Sequence, residues 1–257
     1  MDEDGHVAFG VESGRRAPYE LRQARYLEAA RTAAGHIHRI NRSEGRPAEL
    51  LDIGVNDGRI RRYLDSLLDD EAEVRWTGVD LFPHGEEGVH RRSEWRLVKL
   101  DLEDGLQGLS SQQYDVVVCE QVLEHLHELE PLLNDMERVL RPGGRVIVGV
   151  PIFPLGLHHL RPWAVRMGER LFNRPPRSHV REWSLSSLLR DLERMDGLGV
   201  VDVRGFRIVS GGPLRFLEFR RWWWRLNRWL GRKVPGLCIE AQVVLSKPVG
   251  SEAVRVG

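Results

Sequence analysis

Apolar positions along the chain follow two alternating rhythms. Runs with little polar interruption, at residues 48–55, 74–82, 95–102, 114–122, 144–152, 200–209 and 238–248, predict seven strands, the first of them buried on both faces. Between them apolar residues recur at three- and four-residue spacing. That rhythm predicts helices from about Tyr19 to Ile40 and over 58–68, 129–140 and 184–195. "RPGG" at 141–144 ends the third helix, and Ser184 is placed to cap the fourth. Strands alternating with helices predict an α/β fold: a doubly wound, mostly parallel seven-stranded sheet, Rossmann-like, with helices on both faces. An amphipathic helix at 215–233 is inserted before the last strand, and 83–92 and 104–113 read as loops. No repeat or linker divides the chain, so residues 1–257 are expected to form one domain with a helical region at 1–47.

In such a sheet, ligands bind beyond the carboxyl ends of the strands at the switch point. Strand ends are therefore where chemistry is sought. The first strand runs into "DIGVNDG", where Asp52 precedes Gly54, Asn56 and Gly58; later strands end at Asp80, Asp101 and Glu120. Asp80 lies 22 residues beyond Gly58, about where a carboxylate reaches both hydroxyls of a ribose. A dinucleotide turn needs three glycines as G-x-G-x-x-G, and here only Gly54 matches, Asn56 and Arg59 holding the other places. Asp52 and Asp57 would repel a pyrophosphate but attract a sulfonium or an ammonium. The expected ligand is a cationic nucleoside.

"ELLDIGVNDG", "GVDLF", "LDLED", "YDVVVCEQVLEHL" and "LRPGGRVIVGVP", in that order, resemble the class I S-adenosylmethionine-dependent methyltransferases. The resemblance is to their small-molecule, ubiquinone methyltransferase-like group (methyltransferase type 11). It covers residues 48–152 closely, and "HVREWSLSSL" at 179–188 looks like the stretch before the last helix of these enzymes. It implies a single methyltransferase domain with a cofactor-binding core at 48–152 and an acceptor-specific part at 153–257, using S-adenosylmethionine. By resemblance Asp52 and Gly54 approach the methionine part, with Asn56 and Gly58 completing the turn. Asp80, with Leu81 beside it, meets the ribose, Asp101 the adenine amine, and Leu102 the adenine ring. Glu120 lies near the methyl group. The chain departs from the family in having Asn56 for a glycine, and Glu120 and Gln121 where "SE" is usual.

The reaction implied is in-line displacement of a methyl group by a nucleophile of the acceptor, in which the protein mainly positions. Candidate bases are Glu120, His125, His158, His159 and His179, since histidine titrates near neutral pH and burial raises a glutamate toward it. His125 and His127 are equally read as backbone hydrogen-bonding residues. The implied acceptor is a small or lipid-linked molecule. An RNA acceptor and a non-catalytic S-adenosylmethionine-binding module stay open as alternatives. No N-P-P-Y-like tetrapeptide follows the fourth strand, which argues against base methylation and makes nucleic acid the weaker partner.

Charge and composition add a question about surface. Residues 1–152 carry 29 acidic and 19 basic side chains, and residues 153–257 carry 9 and 19, so a net charge of zero conceals two opposed parts. The basic part faces an anionic partner or pairs with the acidic one. Two cysteines without ligand spacing indicate neither disulfide nor metal, and the longest apolar stretch, 146–157, is too short to span a bilayer. The expectation is a cytoplasmic protein without metal. In the helix at 215–233, Phe219, Trp223, Leu226 and Leu230 form one row and Arg221, Arg225, Arg228 and Arg232 the opposite one. Trp222 and Trp229 widen the apolar row, and Trp224 falls on the polar side. That face is expected to pack on the sheet, lid the acceptor pocket, form a dimer contact, or lie on an anionic membrane surface.

Overall fold

The computed structural model describes residues 10–11, 15–16, 21–56, 58–83, 88–90, 93–154, 180–208, 216–218 and 220–250. Strands β1 (Gly10–Val11) and β2 (Arg15–Arg16) pair antiparallel ahead of α1 (Ala24–Glu44). The region 1–47 is thus not wholly helical. A 3-10 turn at Leu21–Gln23 enters α1, which starts later and runs further than its apolar rhythm predicts, ending at Gly45 in a left-handed conformation.

Among the described residues the main sheet holds eight strands. They are β3 (Ala48–Ile53), β4 (Val74–Asp80), β5 (Gly88–His90), β6 (Ser93–Lys99), β7 (Tyr114–Glu120), β8 (Leu140–Pro151), β9 (Gly199–Phe206) and β10 (Glu240–Ser246). Their order is β5-β6-β4-β3-β7-β8-β10-β9. β6, β4, β3, β7 and β8 are mutually parallel, and β10 runs antiparallel to both β8 and β9. The seven expected strands are all present. β5 is an addition, formed within the expected loop 83–92 by pairing antiparallel with the edge strand β6. The order reverses at β3, between β4 and β7, so the switch point lies at the carboxyl end of β3.

Both faces of the sheet are covered, as its apolar runs require. Leu51, Ile53, Val117, Cys119, Val146 and Val148 point to the side of α3 (Glu130–Val139) and α4 (Leu185–Leu192). Leu50, Val116, Val118 and Ile147 point to the side of α1 and α2 (Arg59–Leu67). Ser184 caps α4 as expected: its hydroxyl accepts from Ser187 N–H at 3.2 Å, and Ser184 N–H donates to Ser187 Oγ at 3.0 Å. Both cysteines are buried and free, and no helix among the described residues is long and apolar enough to cross a membrane.

α5 (Arg221–Lys233) is a helix, but its roll differs from the periodic expectation. Trp224, Asn227 and Gly231 face inward, while Trp222, Leu226 and Trp229 are exposed; Phe219 lies outside the described residues. Three contacts impose that roll. A side chain at Gly231 would meet Gly205 O at 1.9 Å, Asn227 Oδ1 accepts from Ile208 N–H at 3.1 Å, and Arg228 bonds Glu28 of α1 while covering the Trp224 ring at 4.6 Å. The opposed charges therefore partly pair within the chain, since Arg204, Arg228 and Arg232 all meet the buried Glu28.

Candidate active site

The turn after β3 is built from left-handed residues: Gly54 (φ 71°), Asn56 (φ 43°) and Gly58 (φ 69°). Asparagine adopts this region more readily than most residues, which is how Asn56 stands where a glycine was expected. Gly54 N–H and Val55 N–H both donate to Val79 O, at 2.8 and 3.2 Å, tying the turn to the end of β4. Glycine is required at 54 for space as well, because a Cβ there would lie 2.2 Å from Val122 Cγ2. Asp80 completes the link: one carboxylate oxygen accepts from Asn56 N–H at 3.0 Å and the other from Phe82 N–H at 3.1 Å. Each oxygen keeps acceptor capacity for a ligand hydroxyl. Leu81 is exposed beside it. Asp101 caps the 3-10 turn Leu102–Asp104 by accepting from Glu103 N–H at 3.1 Å, and Leu102 packs partly against the core.

Buried carboxyls gather at the ends of β3 and β7. Asp52 is pushed well above the usual carboxylate range by burial first, then by Glu120 and Asp80, and its Oδ2 has no hydrogen-bond partner among the described residues. Burial likewise raises Glu120 to about 7, against the opposing pull of Arg25 and a hydrogen bond from Gln242. Glu124 is also raised to about 7, chiefly by burial. A nearby cation is Arg25 on α1, whose Nε lies 4.0 Å from Glu120 Oε2 and whose Nη1 bonds Glu240. Arg207 reaches the same Glu240 oxygen at 2.8 Å. The Glu120 carboxylate lies over Gly149, where a Cβ would approach it to 2.2 Å. Gln121, directly after, has φ 60°, a strained conformation for a non-glycine residue at the end of a strand.

The structure thus brings Asp52, Asp80 and Glu120 together electrostatically around the turn Gly54–Gly58, with Asp101 ending the adjacent strand segment. His125 is exposed at the end of the 3-10 turn Leu123–His125. His127 is engaged elsewhere: its N–H and Nδ1 meet Glu103 Oε1 at 3.0 and 2.9 Å. His158, His159 and His179 lie outside the described residues. Sequence reasoning missed Arg25, Glu124 and Gln242. Glu124 lay inside the quoted "EQVLEH", but Arg25 had no local signal, because its partner Glu240 is 215 residues away. Among the described residues no group of histidine, cysteine and acidic side chains could hold a metal.

A cationic nucleoside fits this arrangement, since the orphaned Asp52 oxygen and the repelling carboxyls gain from positive charge. Residues 51–148 match the family profile described as a methyltransferase domain. A highly reducing polyketide synthase of Strobilurus tenacellus is 27% identical over 128 residues, 47% of this chain and 4% of the synthase. The chain spans only 4 to 5% of the length of the curated relatives it matches. Among solved structures, a loganic acid methyltransferase with SAH superposes with a TM-score of 0.57 at 11% identity, covering 96% of this chain and 99% of that one. An S-adenosylmethionine-dependent methyltransferase from Mesorhizobium loti gives 0.52 at 14% identity, covering 88% and 99%. Residues 51–148 thus match a methyltransferase domain, and the fold around them is the one seen in solved S-adenosylmethionine-dependent methyltransferases.

Proposed function

We propose that the protein transfers a methyl group from S-adenosylmethionine to a small-molecule acceptor by in-line displacement. The observation that carries this reading is the buried, unpartnered Asp52 oxygen among carboxyls at the carboxyl end of β3. In this reading residues 48–152 are the cofactor-binding core and 153–257 the acceptor-specific part of one domain. The cofactor, when bound, supplies an electrophilic methyl group on a sulfonium. Asp52 and the turn Gly54–Asn56–Gly58 receive the methionine part, Asp80 with Leu81 the ribose, and Asp101 with Leu102 the adenine. Glu120 and Glu124, each at about 7, join His125, His158, His159 and His179 as groups able to accept the acceptor's proton. The finer form of the proposal is a lipid-linked acceptor met in the cytoplasm at the inner membrane face, supported by the exposed Trp222, Leu226 and Trp229.

Titration calorimetry tests the cofactor, with NAD in parallel. S-adenosylmethionine is expected to bind and NAD not; no heat from S-adenosylmethionine at millimolar concentration would sink the proposal. The pH dependence has a defined sign. Glu120 and Glu124 hold protons below about 7, and a cation prefers the ionised forms. Affinity therefore rises with pH through that range, by up to about tenfold per pH unit for each proton released on binding. In the free protein the same shift works against stability. The unfolded chain loses the Glu120 proton near 4.5 while the folded one keeps it to about 7, so stability falls as pH rises between them.

Asp80→Ala is expected to weaken cofactor binding at least about tenfold, given roughly 1.5 to 3 kcal/mol for a hydrogen bond to a charged group, while His125→Ala leaves it near the parent value. A folded Asp80→Ala protein that binds like the parent would remove Asp80 from the site. Label transfer from radioactive S-adenosylmethionine into lipid, polar-metabolite and RNA extracts then identifies the acceptor class; label in RNA alone would overturn the small-molecule reading.

A further inference from the structure

The inward packing of α5 leaves an outward face that combines aromatic, aliphatic and cationic side chains. Trp222 is 57% exposed, Trp229 58% and Leu226 37%, and Phe216, Val234 and Leu237 are exposed on either side in the chain. The exposed Arg225, Arg232 and Lys233 stand among them. From residue 219 to residue 239 there is no acidic side chain. On the flank toward the protein, a shallow groove of about 310 Å³ is lined by Trp224, Arg225, Arg228, Trp229 and Arg232. The roll that creates this face is held by Asn227, Gly231 and Arg228, and the exposed Arg232 also meets Glu28.

We propose that this face of α5 docks on an anionic phospholipid bilayer, with the tryptophans and Leu226 in the interface and a headgroup phosphate in the arginine-lined groove. Tryptophan is suited to the boundary between headgroups and acyl chains, having an apolar body and a polar N–H. Arginine and lysine beside it are attracted to anionic lipid, and their alkyl stems lie along apolar surface. A second copy of the chain fits less well. A two-fold contact would set this face against itself and bring its cations together; Arg228 and Arg232 meet the buried Glu28, but residues 219–239 bring no carboxylate to the contact. RNA would also answer the charge, but the face is a convex helix carrying aliphatic groups that base stacking does not use. The proposal deepens the lipid-linked reading of the acceptor, yet depends on the helix face alone.

Flotation with vesicles of phosphatidylcholine, with and without phosphatidylglycerol, tests it at low and high salt. The protein is expected to float only with phosphatidylglycerol and to be released by salt. Arg232→Gln combined with Lys233→Gln lowers partitioning by about fivefold per charge removed. Trp222→Ser combined with Trp229→Ser brings it to the level seen with phosphatidylcholine alone. S-adenosylhomocysteine binding, followed by calorimetry, is unchanged in both variants and reports that they are folded. If the tryptophan variant does not fold, the charge variant decides. Absence of flotation with phosphatidylglycerol at low salt overturns the proposal. So does tighter binding to polyuridylate than to the vesicles, or a concentration-dependent dimer in sedimentation that the tryptophan changes abolish. A parent protein that floats but binds no cofactor leaves the docking surface standing and removes the proposed reaction, so the two failures are distinct.

Discussion

Gly54→Ala is expected to lower the affinity for S-adenosylmethionine on the order of a hundredfold. Two costs combine at this position. The left-handed backbone, φ 71°, costs a residue with a Cβ roughly 1 to 2 kcal/mol, and the 2.2 Å approach to Val122 Cγ2 adds overpacking of about 1 to 3 kcal/mol. The turn relieves both by moving, which breaks its hydrogen bonds to Val79 O and pulls Asn56 N–H from Asp80. Adding Val122→Ala separates the costs, because it removes the contact and leaves the backbone strain. Calorimetry should show partial rescue in the double variant. Parent-like binding by Gly54→Ala alone would mean that the turn does not shape the site.

Asp115→Ala acts on the opposite end of the sheet, and its effect is on stability. Asp115, at the start of β7, is buried; Arg46 donates to both of its oxygens at 2.7 Å, Arg141 to one at 2.9 Å, and Glu49 N–H to the same one at 2.9 Å. One carboxylate thus ties β7 to the chain entering β3 and to the start of β8. Removing it is expected to cost about 3 kcal/mol, the low end for a broken buried pair because both arginines are about one-third exposed and can turn to water. Burial opposes the charged form, but the hydrogen bonds of Arg46 and Glu49 and the charge of Arg141 outweigh it and hold the carboxyl below the usual aspartate value of 3.8. That stability is therefore complete above pH 3.8 and disappears as pH falls through the lowered value. Denaturation by urea at pH 7 should show the full difference between parent and variant, and the difference should shrink in strong acid. A variant within about 0.5 kcal/mol of the parent at pH 7 would show the cluster to be ornamental to stability.

These two residues differ in how far they could be read from the chain. Gly54 stood in a recognisable turn at the end of an apolar run, so both its conformation and its place at the switch point followed from local pattern. Asp115 gave no such signal. Its partners Arg46 and Arg141 are distant in sequence, and an acidic residue opening a strand reads equally well as solvated. His127 shows the same limit from the other side: a hydrogen-bonding role was legible from its place, but its partner, Glu103, was not.

The sequence by itself determined the mostly parallel sheet, the burial of its first strand on both faces, and the delivery of Asp52, Asp80, Asp101 and Glu120 to strand ends. Each of those depends on a short period or a strand end, and neither changes with what packs against it. Only the tertiary structure decided that α5 turns Trp224 inward and Trp222, Leu226 and Trp229 outward, against its amphipathic rows. Only it, too, made Glu120 part of a buried network with Arg25, Gln242 and Glu240. Helical periodicity sorts residues into faces but does not say which face a neighbour will accept. Here the choice was made by the close approach of Gly231 to Gly205 and by the pairing of Arg228 with a glutamate 200 residues earlier. Contacts of that separation form only once the chain has folded.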